Sequence, residues 1–298
     1  MNAALGPLDP TTLATAGTAI GVRAAASTIE DNWDSLVGDP GDPATPVYGP
    51  LEAQGAAELL LQPLTTPVQE VLTLTDEELI ATDGMDIDPL TPTPRLDQVS
   101  DSDRVAAVEA ARRDLVARGL LPADGDEPTP SGPASAQALG VLRRTADSVI
   151  AAERVTDRGT DFAYFFVFGT EDEDRVLAET VGAAGRHDFV LMDGETLPEQ
   201  LLRLADPLAV AGGADGSTDV VAEPDFADSP AAQRLAGAHA ITDIMVINRA
   251  STDKYVISLV AGPDGITMME VDEEDEDAVR RIGVRSRRSL EALLAELL

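Results

Sequence analysis

Cysteine is absent from this 298-residue chain, and histidine is limited to His187 and His239. Those two absences exclude disulfide frameworks, thiolate nucleophiles and zinc ribbons, and leave too few ligands for a transition-metal centre. Lysine is confined to Lys254, with arginine supplying the remaining basic groups. Aromatics make up only 3% of the chain. No run approaches the 18 consecutive apolar residues of a spanning helix, and MNAALGPLDP lacks a basic region ahead of Arg23. Neither a membrane span nor a secretory signal is expected, and the chain reads as cytoplasmic.

Acidic residues dominate what is present: 54 Asp and Glu against 21 Lys and Arg give a net charge of −33. A polyanion would be repelled before any base or headgroup was read, so neither nucleic acid nor an anionic membrane is an expected partner. The charge is spread along the chain, with no block of fifty residues beyond −9. It therefore belongs to a folded surface and not to a single acidic tail. At 44% hydrophobic the sequence is apolar enough to build a core. The arginine-for-lysine bias fits either a GC-rich genome or a halophile.

The residue pattern predicts three regions: an N-terminal helical segment with a Pro/Gly-rich linker (1–63), a first α/β half (64–210) and a second (211–298). In the first, a helix over 10–36 starting at Asp9 and Pro10 and carrying Trp33 precedes the loop GDPGDPATPVYGP (38–50), then a short helix over 51–62 stopped by Pro63. A strand VLTL (71–74) runs into the helical TDEELIAT. A helix capped within Ser100–Ser102 carries a stripe of Val105, Val108, Leu115 and Val116 and ends at Gly119. A loop over 122–133 leads into a helix SAQALGVLRRTADSV ending near residue 149.

From residue 162 the period changes, because FAYFFVF holds five of the ten aromatics and reads as a core strand. Strands RVLAETV (175–181) and HDFVLM (187–192) follow, then a helix over 196–205 with Thr196 as its cap. The same order returns as DIMVIN (243–248), KYVISLV (254–260), ITMMEV (266–271) and a helix over 289–298, whose Leu290, Leu293, Leu294, Leu297 and Leu298 form a stripe expected to be buried. The fold class predicted is α+β, with two pseudo-equivalent subdomains, each an antiparallel β-meander packed with helices. Residues 162–205 are expected to match 243–298.

No nucleophile elbow, dinucleotide fingerprint, P-loop or zinc-protease motif is present in the sequence. The acidic run Glu270–Asp277 lacks the glycine that a Ca²⁺ loop needs for its turn and reads as a solvated loop. His187 beside Asp188 invites a general-base reading, but with no nucleophile nearby it reads as a surface or sheet-end histidine. Glu171–Asp174 reads as a hairpin tip. The arginines at 280, 281, 285, 287 and 288 are expected to pair internally with the preceding carboxylates. No catalytic, cofactor-binding or metal-binding residue is assigned, and no enzyme activity is expected.

VLTLTDEELIA, AARRDLVARGLLPADGDEPTPSGPASAQALGVL, FAYFFVF, HDFVLMDGETLPEQLLRL and the closing DGITMMEV and LEALLAELL resemble the EspG family, cytosolic chaperones of actinobacterial type VII (ESX) secretion. The resemblance covers roughly residues 64–298. It implies a pseudo-twofold α/β body without an active site, and a protein partner, a helical secretion substrate held soluble in the cytosol. The alternative is a cytoplasmic regulatory or adaptor protein without a secretion role.

Overall fold

The computed structural model describes residues 50–85, 87–123, 136–170, 174–222, 237–248, 254–272 and 279–297, together with Ser229, Ala232 and Leu235. The predicted helix over 10–36, the linker after it, most of the 122–133 loop, Glu171–Glu173, the greater part of the acidic run and Leu298 lie outside the described residues.

Among the described residues six helices pack on a ten-stranded, wholly antiparallel sheet, an α+β architecture as expected. The first half begins with α1 (Pro50–Leu60), β1 (Val68–Thr75) and α2 (Asp76–Asp83). It continues through α3 (Asp101–Ala117), α4 (Ala136–Thr145), β2 (Ser148–Thr156), β3 (Gly159–Phe168), β4 (Arg175–Gly182), β5 (Arg186–Asp193) and α5 (Leu197–Ala205). The second half runs β6 (Thr218–Ala222), β7 (Ala240–Asn248), β8 (Lys254–Gly262), β9 (Gly265–Asp272), β10 (Val279–Arg285) and α6 (Arg287–Ala295).

The strand order β1-β5-β4-β3-β2-β7-β8-β9-β10-β6 reads the same outward from the centre in both directions. Each half is a four-strand meander with the half's earliest strand added at the outer edge and a helix after the last strand. The repeat therefore starts one strand earlier than its sequence signal: β2 matches β7, so the predicted match of 162–205 with 243–298 is displaced by a strand. Three strands carry too little periodicity to be read in advance. β2 (SVIAAERVT) merges with the preceding helical pattern, which ends at Thr145. β6 (TDVVA) is short and β10 (VRRIGVR) is half basic. Both outer strands avoid presenting a long flat edge, β1 through a register shift between Glu70 and Leu72, β6 by its five-residue length.

Local chemistry sets the helix ends. Thr75 and Glu78 form a reciprocal capping box at the start of α2, where Asp76, Glu77 and Glu78 also favour the positive end of the helix dipole. Ser100 caps α3, and Gly119 (φ +71°) closes it in a Schellman turn, Leu120 N donating to Leu115 O and Gly119 N to Val116 O. Ser286 caps α6 through Ser289 N. Thr196 makes no capping bond, because Gly194–Thr196 already winds as a 3₁₀ turn into α5.

The alternation of the strands sends side chains into cores on both faces. One face packs against α1–α4 through residues such as Leu74, Val149, Phe166, Leu177 and Phe189. The other packs against α5 and α6 through Ile150, Phe165, Met192, Ile244 and Leu259, so α5 and α6 cover strands from both halves. A smaller cluster of Leu235, Ile241, Val260, Met269 and Ile282 lies on the second half. FAYFFVF is core as predicted: Ala163 through Phe168 are all buried, alternating between the two faces. In the closing stripe Leu290 and Leu294 are fully buried, whereas Leu293 and Leu297 are only partly covered.

Candidate functional site

Where α2 and α4 meet β4 and β5, the apolar layer is interrupted by a knot of charge with no solvent exposure. Arg143 sits on the apolar face of α4, one stripe position beyond Ala136 and Leu139, so the helix period drives a guanidinium into the core. Glu179 sits on β4 between the inward-facing Leu177 and Val181, and His187 shares a face of β5 with Phe189. Asp76, the first residue of α2, enters from the strand-to-helix turn, its backbone N–H anchored on Gly185 O at 3.0 Å.

Each group is tied to the next. His187 places Nδ1 2.7 Å from Glu179 Oε1 and Nε2 2.8 Å from Asp76 Oδ1. Arg143 donates from Nε to Glu179 Oε2 at 2.9 Å, from Nη1 to Asp83 Oδ2 at 3.0 Å and from Nη2 to the Thr91 hydroxyl at 2.8 Å. Thr91 in turn donates to Glu179 Oε1 at 2.8 Å. Asp76 Oδ2 accepts the backbone N–H groups of Arg95 and Leu96 at 2.7 and 3.1 Å, which binds the 91–96 loop to the knot. Arg144 lies 3.5 Å from Asp83, and the Arg143 guanidinium carbon stands 6.0 Å from the centre of the Phe189 ring.

Both ring nitrogens of His187 face carboxylate oxygens, and Glu179 Oε1 also accepts from Thr91. A neutral imidazole would turn a lone pair toward one of them, so with both carboxylates ionised both nitrogens donate and His187 is an imidazolium. With it charged, His187, Arg143 and Arg144 balance Asp76, Asp83 and Glu179. Burial works against the charge on His187, but the bonds to Asp76 and Glu179 outweigh it and hold its pKa above the ordinary value. Burial likewise opposes ionisation of Glu179, yet the Arg143 charge and the His187 bond keep its pKa below the usual carboxylate range. Tyr164, opposite Glu179 on β3, has its pKa pushed up by burial and by Glu179 and stays a neutral phenol.

A pH dependence follows, with opposite signs for the two groups. His187 binds its proton more tightly when folded, so its contribution is complete below its reference value of 6.5 and is lost as pH rises through the higher native value. Glu179 binds its proton less tightly when folded, so its contribution is complete above 4.5 and is lost as pH falls through the lower native value. The knot should therefore stabilise most between pH 4.5 and 6.5. Ring-nitrogen NMR should find His187 more than half imidazolium at pH 6.5. A mostly neutral ring there would refute the assignment.

His187 does stand at the start of β5, but its reading as a surface residue is corrected: its side chain is 0% exposed, held by Glu179 from the neighbouring strand and by Asp76 from 111 residues away. Asp188, its neighbour in sequence, points to the opposite face and takes Thr73 and Arg186. The remaining members were not singled out in the sequence, although charged residues at core positions of a helical stripe and a strand were a usable signal at Arg143 and Glu179. Of the arginine cluster, Arg287 pairs with Glu291 at 2.8 Å within α6, and Arg281 stands opposite Glu270 in the β9–β10 register.

Total enclosure limits what this knot can do. No atom of His187, Glu179 or Arg143 reaches solvent, so a substrate cannot touch them, and their bonds join α2, α4 and the 91–96 loop to the sheet. Gly185 (φ +72°) completes the enclosure: a Cβ there would come within 2.7 Å of Asp76 Oδ2 and of Arg95 Cβ. Among the described residues no group of three or more His, Asp or Glu side chains is arranged to hold a metal ion. None of their helices is long and apolar enough to cross a membrane. No family model and no curated protein matches the chain.

Proposed function

We propose that the chain is a non-enzymatic, EspG-like cytosolic chaperone that binds helical type VII secretion substrates and keeps them soluble. The observation that carries this reading is the mirrored strand order about the β2–β7 pair, which matches the pseudo-twofold body that the sequence resemblance implies. The burial of His187 supports it from a second side, since the most enzyme-like constellation among the described residues is closed to substrate. A net charge of −33 also fits a carrier that must resist self-association while it holds an apolar helical tip.

Co-expression with the paired helical proteins encoded beside a type VII locus of the source genome tests the proposal. A substrate pair insoluble alone should become soluble and co-elute with the chain in a stoichiometric complex. Substrates that stay insoluble, or that elute separately at micromolar concentrations, would rule the chaperone reading out.

A further inference from the structure

Among the described strands, the two halves of the sheet are hydrogen-bonded to each other through β2 and β7 alone. Near the middle of that pairing, Glu153 stands directly opposite Asp243. Both lie on the α1–α4 face, as do Val149 and Ala151 on β2 and Met245 and Ile247 on β7. Like charges facing each other across strands repel, and an uncompensated carboxylate away from water carries a further desolvation cost. Both side chains are partly exposed, but among the described residues no basic group is bonded to either carboxylate, and Glu153 Oε2 is shut off from solvent without a hydrogen-bond partner.

The neighbours assign the charge. Burial raises the Asp243 pKa, but from β8, directly opposite, the Ser258 hydroxyl donates to Asp243 Oδ1 and offsets part of that rise in favour of the negative charge. From β3, Glu153 faces the apolar Phe162 directly and Tyr164 on the diagonal, the latter a neutral phenol. Arg154, next in sequence, projects to the other face and pairs with Asp161. Asp243 is accordingly the charge that acts on Glu153.

We propose that Glu153 carries a proton below neutral pH, so that the β2–β7 seam then holds one negative charge instead of two, and that losing this proton loosens the join between the halves. Burial, with the Asp243 charge added, raises the Glu153 pKa to about 7, which places the transition in the physiological range. The sign follows from tighter proton binding in the closed seam: raising the pH through 7 weakens it, and lowering the pH strengthens it. The physical result is a proton-sensitive hinge in a body whose two halves are otherwise bridged by α5 and α6.

Infrared difference spectra of the full chain between pH 6 and pH 8.5 should show a protonated-carboxyl C=O band at the lower pH that is missing in Glu153→Gln. In Asp243→Asn, which removes the opposing charge, the band should disappear at a lower pH than in the parent. Hydrogen exchange, corrected for the chemical rate, should speed up over the same range about tenfold more at the β2 and β7 amides than at β4 and β5. Glu153→Gln should abolish that difference. Absence of the band at pH 6, or an exchange difference that persists in Glu153→Gln, would overturn the proposal.

Discussion

Replacing Leu290 and Leu294 together by alanine should abolish cooperative unfolding at ambient temperature. Both side chains are 0% exposed and wedge α6 against the sheet and α5, in a core that draws Ile150, Ile244, Ile257 and Leu259 from strands on both sides of the seam. Each truncation removes buried methyl groups and leaves a cavity, costing about 2–5 kcal/mol apiece. The sum is comparable to the ~5–15 kcal/mol that holds a typical domain folded. The partly covered Leu293 supplies the control, because Leu293→Ala should lose far less. Circular dichroism melts decide the matter: a double variant with the parent's transition would mean that α6 does not close this core.

Truncation of Arg143 to methionine should cost about 3–5 kcal/mol, the usual penalty for leaving a buried charge without its partner. The substitution conserves most of the apolar stem but leaves His187 and Arg144 alone to balance Asp76, Asp83 and Glu179, one positive charge short, and removes the donor to Thr91. Because the penalty comes from uncompensated carboxylates and not from lost volume, the further change Glu179→Gln in the same chain should return part of it. Urea unfolding of the single and double variants measures both steps. A single variant within 1 kcal/mol of the parent would mean that water or a rearranged side chain neutralises the knot.

The knot also separates two halves that share a strand plan. The first half carries Arg143, Glu179 and His187 beneath its helices, whereas the inward positions of the second include the apolar Ile241, Val260, Met269 and Ile282, with Asp243 as the carboxylate at the seam. Arg143 and Asp83 both belong to the helical layer, and the sheet of the first half adds Glu179 and His187 to that pair.

Local signals were legible wherever the pattern was strong: the strand-to-helix passage into TDEELIAT, the Ser100 start and Gly119 stop of α3, the aromatic β3 and the leucine stripe of α6. Composition alone defined the charge and the absence of thiol chemistry. The α+β class followed from the change of period at residue 162. The antiparallel meander within each half was legible, but the join between halves lay beyond reach, because pairing β2 with β7 depends on edges that exist only once both meanders have formed, and β2, β6 and β10 owe their strand state to those neighbours more than to their own residues. The buried knot lay beyond reach for a related reason. Asp76 and His187 are 111 residues apart, and the tertiary structure alone turns an ordinary helix-start carboxylate and a strand histidine into an enclosed ion pair.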